Sequence, residues 1–478
     1  MKKSNQIKKN IFISAYRNVS IRYILNSELF DNLVGNKELR IIVFVKKQHL
    51  EYCKKRYKYD NVIFENVYFE ELFARLRSYI GTFFNLYRLM TFPKNKLPKN
   101  ETIDIFRVTY RKEWVNSTKR LIIFNIIKFF SLIGKNSKIF RLLMIKVESL
   151  FSDGSIYKSI FKKYEPDMII VSSIGHMIDV YLMNQAKINK VKILTIFHNW
   201  DGPTTKGYKS SDIDYAISWN DIMSKEIENY LDIPAKNIFL GGAINYERYF
   251  KLKPANRSKP KKTILFASGG LSLWPNNFEP LYHILENKNN YKYEINVVLR
   301  MHPNFISNES SRENIVLKND VNSIIDKLKN LYLDNFTLSI PSVKQFESDY
   351  LFRNEDLNNL TELLLSSDIL ITQYSTLLLE AAILDTPAIN IGYGQYRKNL
   401  MPANYYEKST HIKTVMKFES FYNAYSNNDL DMHINTALEE PNKKSKNQQV
   451  LRDNMFPVRE NVGRNIARHI EKLVFNNK

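Results

Sequence analysis

Short apolar runs alternate with helix-length segments in the first half of the chain, and this pattern predicts parallel β-strands. Five runs are mostly apolar and are bounded by polar or turn residues: 10–15, 39–45, 167–173, 192–197 and 214–218. Strands buried on both faces of a parallel sheet have this composition. The segment 21–33 predicts a helix between the first two strands, so the chain opens with a βαβ unit.

The same pattern restarts after a break that contains prolines and basic residues. The break, residues 251–262 (KLKPANRSKPKK), has no periodicity and is the best linker candidate. Five further strands are predicted beyond it: 263–268, 293–300, 336–340, 369–372 and 387–392. Helical segments such as 357–365 and 377–384 lie between them. The pattern therefore predicts an α/β protein with two doubly wound, Rossmann-like domains, 1–250 and 263–455, that face a cleft.

Composition narrows the class of protein. The 478 residues are 44% hydrophobic and 13% aromatic and include only 14 Gly and 15 Pro, which excludes a disordered or low-complexity chain. The single cysteine, Cys53, excludes an internal disulfide framework and any multi-cysteine metal site. A lone cysteine fits a reducing compartment, and the start of the chain does not resemble a signal peptide. We therefore expect a cytoplasmic location.

The positive charge is concentrated in the first third of the chain. Residues 1–150 contain 30 Lys and Arg against 12 Asp and Glu, whereas the remaining 328 residues contain 40 against 37. Such a basic region predicts an acidic partner, and anionic lipid and nucleic acid are the usual ones. The sequence has no recognition-helix, zinc-finger or RNP-type motif, so we expect no nucleic acid.

The segment 119–151 combines apolar residues with recurring Lys and Arg. No window in it is long and uncharged enough to cross a bilayer. Two interpretations remain open: a helix that lies in the interface of an anionic membrane, or a helix pair that packs on the core with a solvated basic edge. The first would make the protein peripheral on the inner face of the cell membrane.

The segment 368–393 has the spacing of a phosphate-binding turn. A predicted strand ends at Thr372, and Ser375 and Thr376 precede an apolar helix that contains Glu380. Hydroxyl groups beside the unpaired N–H groups of a helix start suit a diphosphate, and a carboxylate one turn later suits a ribose diol. The alternative is an ordinary N-cap followed by a polar helix residue.

This run, together with LRMHP at 299–303, resembles the C-terminal domain of GT-B glycosyltransferases that make bacterial surface and capsular polysaccharides. The CDP-glycerol glycerophosphotransferase-like group is the nearest relative that the motifs indicate. The resemblance implies that Arg300, His302 and the Ser375–Thr376 turn hold the diphosphate of the donor and that Glu380 contacts its ribose. Because members of that group tend to have another residue at the position of Glu380, a nucleotide-sugar donor is favoured over CDP-glycerol.

A second block, 197–231 continuing to 250, resembles the end of the N-terminal GT-B domain. His198 and Asp201 follow a predicted strand, and His176 follows the preceding one. A histidine or aspartate at a strand end could deprotonate an acceptor hydroxyl, so these three are the candidate catalytic residues. The alternatives are that Asp201 only caps the Gly202–Pro203 turn and that His198 is an ordinary loop residue.

Three further features have weaker signals. Gly269 and Gly270 follow the first strand of the second domain and either approach the donor closely or form a plain turn, without the full dinucleotide fingerprint.

Asp212 and Asp214 match D-x-D, but GT-B enzymes neutralise diphosphate without metal, so no metal or other cofactor is expected. The segment 456–478 predicts a helix that, as in GT-B proteins, packs back towards the N-terminal domain, or is solvated.

The leading hypothesis is a glycosyltransferase that moves a sugar from a nucleotide-activated donor to a lipid-linked or oligosaccharide acceptor. The C-terminal domain would bind the donor, and the N-terminal domain the acceptor. The alternatives are a CDP-glycerol-type polyol-phosphate transferase, a nucleotide-sugar 2-epimerase and, from a different class, a nucleic-acid-binding protein. An epimerase has no use for a strongly basic first third.

Overall fold

The computed structural model describes residues 9–94, 99–175, 177–252, 260–270, 273–274, 278–305, 312–332, 334–346, 349–397 and 401–476, with the backbone alone at 312–321 and 354. The chain divides into two compact units. Unit 1 comprises Met1–Glu247 and Met455–Lys478, and unit 2 comprises Arg248–Asn454. In the parts of the chain that are described, no helix is both long and apolar enough to cross a membrane.

Unit 1 is built on a parallel sheet of seven strands in the order β3-β2-β1-β4-β5-β6-β7. The strands are β1 (Lys9–Ser14), β2 (Leu39–Val45), β3 (Val62–Asn66), β4 (Met168–Val171), β5 (Lys192–Ile196), β6 (Tyr215–Ser218) and β7 (Ile238–Leu240). The five predicted strands are present. The edge strands β3 and β7 were not predicted, because each has an apolar run of only three residues and most of its residues are half-exposed.

In the described part of unit 1, twelve helices precede the second unit. They are α1 (Asn18–Ser20), α2 (Glu28–Gly35), α3 (Leu50–Arg56), α4 (Phe69–Leu76), α5 (Tyr79–Met90), α6 (Thr102–Trp114), α7 (Thr118–Asn136), α8 (Lys138–Phe151), α9 (Lys158–Tyr164), α10 (Asp179–Ile188), α11 (Gly202–Thr205) and α12 (Asp221–Leu231). The predicted helix over 21–33 is wrong as a single element. A π-helical turn, Ile21–Leu25, ends where Ser27 turns extended and donates a hydrogen bond to the carbonyl of Ile24. Serine side chains compete in this way with the helical backbone bonds.

Unit 2 has a parallel sheet of six strands in the order β10-β9-β8-β13-β14-β17. These strands and two small hairpins are β8 (Lys262–Ala267), β9 (Ile295–Arg300), β10 (Phe336–Ser339), β11 (Val343–Gln345), β12 (Tyr350–Phe352), β13 (Ile369–Thr372), β14 (Ala388–Ile391), β15 (Gln395–Tyr396), β16 (Met401–Pro402) and β17 (Tyr422–Ala424). All five predicted strands form. The central strands are buried on both faces, which explains why their apolar runs were easy to identify.

The helices of unit 2 pack around this sheet, and the chain ends with a helix that belongs to unit 1. The helices around the sheet are α13 (Glu279–Glu286), α14 (Arg312–Leu331), α15 (Asn354–Ser366), α16 (Leu377–Ile383), α17 (Thr410–Met416), α18 (Asn427–Glu439) and α19 (Ser445–Met455). The last helix, which belongs to unit 1, is α20 (Val462–Phe475). Helix α20 packs on α2, and a Cβ at Gly463 would lie 2.4 Å from the backbone nitrogen of Leu29. It begins at Val462 instead of 456, because Asn461 has a left-handed backbone, with φ 53°.

The strand order reverses once in each sheet. In unit 1 the reversal lies between β1 and β4, and in unit 2 it lies between β8 and β13. The loops that follow these strand pairs diverge, which leaves a crevice at the carboxyl ends of the strands where open α/β sheets bind ligands. Two Rossmann-like units are therefore confirmed, each with its own candidate ligand-binding edge.

Candidate functional site

The crevice of unit 2 lies where three neighbouring strands end. Gly269 and Gly270 follow β8, His302 follows β9, and Ser375 and Thr376 follow β13. The hydroxyl of Thr372 donates a 2.9 Å hydrogen bond to the carbonyl of Ala267, which holds β13 against the end of β8. The backbone N–H of His302 donates to the hydroxyl of Ser268 at 2.9 Å. Five predicted donor-site residues thus meet at one edge of one sheet.

His302 is a neutral hydrogen-bond donor in this crevice. Burial lowers the pKa of its imidazole to about 4, so the ring is uncharged at neutral pH. Its Nδ1 accepts a 3.1 Å hydrogen bond from the backbone N–H of Asn304, which leaves the proton on Nε2. A Cβ built on Gly270 would lie 3.7 Å from His302 Cε1, so the glycine keeps the space beside the ring open.

Arg300 does not present a free guanidinium. Its side chain is buried, donates a 2.6 Å hydrogen bond to the carboxylate of Asp356 and another of 3.1 Å to the hydroxyl of Ser339. The same carboxylate accepts from the backbone N–H of Ser342. The diphosphate contact of Arg300 stays a prediction: its charge is already matched by a buried carboxylate, and the pair ties β9 to α15. Asp356 could not be predicted as a partner from the sequence, because 56 residues separate it from Arg300.

The Ser375–Thr376 turn has a strained backbone that its neighbours hold in place. Tyr374 has a left-handed backbone, with φ 45°, and its N–H donates a 2.8 Å hydrogen bond to the side-chain oxygen of Asn390. The Ser375 hydroxyl accepts from the backbone N–H of Leu377 at 3.2 Å. Ser375 and Thr376 are both half-buried, so their hydroxyl groups lie near the surface of the unit. Backbone strain of this kind is often found at ligand sites.

Glu380 is buried and already has a partner. One of its carboxylate oxygens accepts a 2.6 Å hydrogen bond from the hydroxyl of Tyr249, a residue in the 3-10 turn Glu247–Lys251. A ribose diol would have to share this carboxylate with Tyr249 or displace it. Tyr249 lies in the block that ends at residue 250, but 131 residues separate it from Glu380, so the sequence does not predict this bond.

In unit 1, His198 belongs to a buried chain of polar groups. Its Nε2 lies 3.0 Å from the hydroxyl of Ser20, which lies 2.7 Å from the hydroxyl of Ser172. Burial, together with the positive charge of Arg17, lowers the pKa of His198 to about 3. A histidine with so low a pKa is a weak proton acceptor at neutral pH. His176, the third candidate, lies outside the described residues.

Asp179 is a buried acid at the same edge that the sequence analysis missed. Its two carboxylate oxygens accept hydrogen bonds from the hydroxyls of Ser14 and Ser173, both at 2.6 Å. Burial raises the pKa of this carboxyl. Ser14 ends β1 and Ser173 follows β4, so the cluster marks the strand reversal of unit 1. In the segment SSIGHMID (172–179), His176 was the predicted candidate base. Asp179, at the end of the same segment, is the residue that the structure places at the strand reversal.

Asp201 is the N-cap residue of α11, and its charge acts on a second acid, Glu226. It precedes α11 and accepts a 2.7 Å hydrogen bond from the hydroxyl of Thr205, and Lys206 Nζ lies 3.7 Å from its carboxylate. Burial and the charge of Asp201 raise the pKa of Glu226, in α12, to about 8. Glu226 was not predicted, because a glutamate in an amphipathic helix has no distinguishing sequence signal.

Asp214 of the D-x-D sequence is engaged in ion pairs. Its carboxylate accepts from Lys187 Nζ at 2.7 Å and from Lys192 Nζ at 3.0 Å. It also accepts from the backbone N–H of Ile193, and these bonds hold its pKa below the usual value. Among the described residues, no group of three or more His, Cys, Asp or Glu side chains is placed to hold a metal ion.

Comparison with known proteins establishes the fold. No family model and no curated protein sequence matches the chain. A Listeria monocytogenes protein assigned as a UDP-N-acetylglucosamine 2-epimerase aligns at TM-score 0.53 and 10% identity, covering 98% of each chain. The UDP-GlcNAc 2-epimerase of Neisseria meningitidis aligns at TM-score 0.50 and 11% identity, covering 98% of this chain and all of its own. These alignments and the two Rossmann-like sheets show a GT-B-type fold.

Proposed function

We propose that the chain is a glycosyltransferase that moves a sugar from a nucleotide-activated donor to a lipid-linked or glycan acceptor during synthesis of a bacterial surface polysaccharide. The observation that supports it most is the strand reversal of unit 2, where Gly269, Gly270, His302, Ser375 and Thr376 follow three adjacent strands. This is the edge at which open α/β sheets bind nucleotides. The Neisseria neighbour was solved with UDP-GlcNAc bound, which supports a nucleotide-sugar donor.

The donor's diphosphate would be held by neutral hydrogen-bond donors. Arg300 is neutralised by Asp356, so His302 Nε2–H and the hydroxyls of Ser375 and Thr376 are left for this task. Hydrogen bonds to the departing nucleotide strengthen as negative charge grows towards the transition state, and they accelerate sugar transfer to that extent.

The acceptor hydroxyl needs a base, and Asp201 is the better of the two described candidates. His198 has a pKa of about 3 and is buried, whereas the Asp201 carboxylate is only half-buried. A carboxylate near the surface can accept a proton from a bound hydroxyl as the new glycosidic bond forms. We place the reaction at the inner face of the cell membrane, where a lipid-linked acceptor would be found.

A nucleotide-sugar 2-epimerase is the second candidate, because both structural neighbours described above are named as UDP-N-acetylglucosamine 2-epimerases. The two reactions differ in what they need. An epimerase converts its nucleotide sugar without an acceptor, whereas a transferase releases the nucleotide only when an acceptor hydroxyl takes the sugar.

The test begins with a thermal-shift screen against CDP-, UDP-, GDP- and CMP-activated sugars, since a ligand of the native state raises the melting temperature. The sugar that gives a shift is then incubated with the protein alone, and the products are identified. An epimerised nucleotide sugar would exclude the transferase proposal in favour of the epimerase. A nucleotide sugar that stays unchanged with the protein alone, and is consumed once a lipid-linked or glycan acceptor is added, would support the transferase proposal.

A further inference from the structure

Helices α7 and α8 expose a second apolar stripe in addition to the one that they bury. Phe124, Ile127 and Met144 pack into a core cluster with residues of α5. The exposed side chains are Ile122, Ile126, Phe129 and Leu132 in α7 and Ile139, Leu142, Leu143, Leu150 and Phe151 in α8. Ile139 is 82% exposed and Phe129 60%. Several large apolar side chains exposed on two neighbouring helices mark a surface that contacts another apolar phase.

An apolar groove of about 350 Å³ lies mainly along α5, and α7 and α8 each contribute one residue to its lining, Ile123 and Phe151. Its walls include Tyr79, Ile80 and Phe83 of α5, Trp114 at the end of α6 and Phe151 at the end of α8. Tyr79 is 76% exposed at its mouth. A groove with this lining suits a hydrocarbon chain better than a polar ligand, because none of the residues that line it is charged and five of the eight are Ile or Phe.

The surface around the groove is positively charged. Residues 114–147 contain seven Lys and Arg and no Asp or Glu, and six of the seven remain when Arg141, buried in an ion pair with Asp232, is set aside. Lys119 Nζ lies 5.1 Å from the centre of the Tyr79 ring, and the Arg120 guanidinium lies 5.5 Å from that of Trp114, so both cations stand beside groove residues. Glu148, the only acid in α8, is buried in an ion pair with Arg88. Lys128, Lys138 and Lys146 are exposed on the two helices.

We propose that the exposed stripe of α7 and α8 inserts into the headgroup region of an anionic bilayer and that the groove takes up one acyl chain of an anionic phospholipid. Apolar anchors flanked by Lys and Arg bind such a surface by burial and by attraction to lipid phosphates. A second copy of the chain is disfavoured as the occupant, because it would bring the same cations together without acids to pair them. Lipid binding needs no donor sugar, so its test is independent of the proposed function.

The apolar stripe is tested by sedimentation with vesicles. The wild type should pellet with vesicles of phosphatidylcholine and phosphatidylglycerol but not with phosphatidylcholine alone. Ile126→Ser with Phe129→Ser should lower the affinity at least about tenfold, since both side chains lose apolar burial. Phe130 is left unchanged because its ring stacks on Phe140 inside the unit. Ile188→Ser, at an apolar residue 70% exposed on α10, is the matched control and should bind like the wild type.

The charge is tested by reversal. Lys128→Glu with Lys146→Glu should weaken binding to the anionic vesicles, and high salt should weaken the wild type in the same way, because the lipid attraction is screened. Lys58→Glu with Lys162→Glu, at exposed lysines outside α7 and α8, changes the net charge equally and should have a much smaller effect. Equal losses in both pairs would show attraction by total charge and would overturn the assignment of this surface.

The groove is tested by quenching of Trp114 fluorescence with vesicles whose acyl chains are brominated. The wild type should be quenched, and Trp114→Phe should lose most of that quenching while it still pellets. Thr82→Phe, which adds bulk to the groove wall, should reduce both quenching and affinity. If Trp114→Phe is quenched as strongly as the wild type, the acyl chains do not lie in the groove. A wild type that ignores anionic vesicles and binds polynucleotide would overturn the proposal altogether.

Discussion

Tyr249 donates a 2.6 Å hydrogen bond to Glu380, and both side chains are buried in unit 2. The bond joins the 3-10 turn at the start of the unit to α16, the helix that follows the Ser375–Thr376 turn. Glu380 therefore has a structural bond in addition to its proposed contact with ribose. Two substitutions separate these roles, because Tyr249→Phe removes the bond and keeps the carboxylate, whereas Glu380→Ala removes both.

Glu380→Ala should weaken nucleotide binding by about 1 to 3 kcal/mol, the usual range for a hydrogen bond to a charged group. Tyr249→Phe should retain nucleotide binding, since the carboxylate stays available to the ribose. Calorimetric titration with the nucleotide found in the thermal-shift screen measures both. Folding is checked by circular dichroism. If a folded Glu380→Ala variant binds the nucleotide as the wild type does, Glu380 has only the structural role.

Arg300→Ala should lower the free energy of unfolding by about 3 to 5 kcal/mol, because it leaves the Asp356 carboxylate buried without its charge partner. Asp356→Asn should be destabilising for the complementary reason. The double variant Arg300→Met, Asp356→Leu should recover much of the loss, since an apolar pair of similar volume leaves no buried charge. Urea unfolding measures all three. A stable Arg300→Ala variant with reduced donor binding would instead return Arg300 to the diphosphate site.

The fold was largely predictable from the sequence, and the site only in part. Strands such as 39–45 and 369–372 were predicted at the residues where they occur, because central parallel strands are continuously apolar. The position of Ser375 after a strand was likewise visible in the sequence. The partners of the polar residues were not, since Asp356 lies 56 residues from Arg300 and Tyr249 lies 131 from Glu380. Spacing along the chain predicts local geometry, whereas such pairs depend on tertiary packing.

The buried imidazole of His198 should make the protein sensitive to acid. Its pKa is about 3 in the folded protein, against about 6.5 when unfolded, so the unfolded state binds the proton more readily as the pH falls. The free energy of unfolding should therefore decrease between pH 6.5 and about 3. His198→Gln should remove a decrease on the order of 4 kcal/mol from this range. Urea unfolding of both proteins across the range is the measurement. Parallel curves would show that His198 does not titrate in this way.

The pair Asp201 and Glu226 predicts the opposite dependence, a loss of stability as the pH rises from 4.5 to about 8. Glu226 has a pKa of about 8 when folded, against a usual value of 4.5, so the folded state keeps a proton that the unfolded state has lost at neutral pH. Its contribution to stability is complete below pH 4.5 and is lost as the pH rises through 8. Glu226→Gln, which cannot ionise, should be more stable than the wild type at pH 8 by on the order of 4 kcal/mol.

The same pair offers a control that separates burial from charge repulsion. Burial contributes most to the raised pKa of Glu226, and the negative charge of Asp201 contributes the rest. Asp201→Asn should therefore lower that pKa without restoring it to 4.5, and it should reduce the advantage of Glu226→Gln when the two substitutions are combined. Unfolding of the two single variants and the double variant at pH 4 and pH 8 measures this coupling. If the two substitutions are additive at pH 8, the Asp201 charge does not act on Glu226, and burial alone raises the pKa of Glu226.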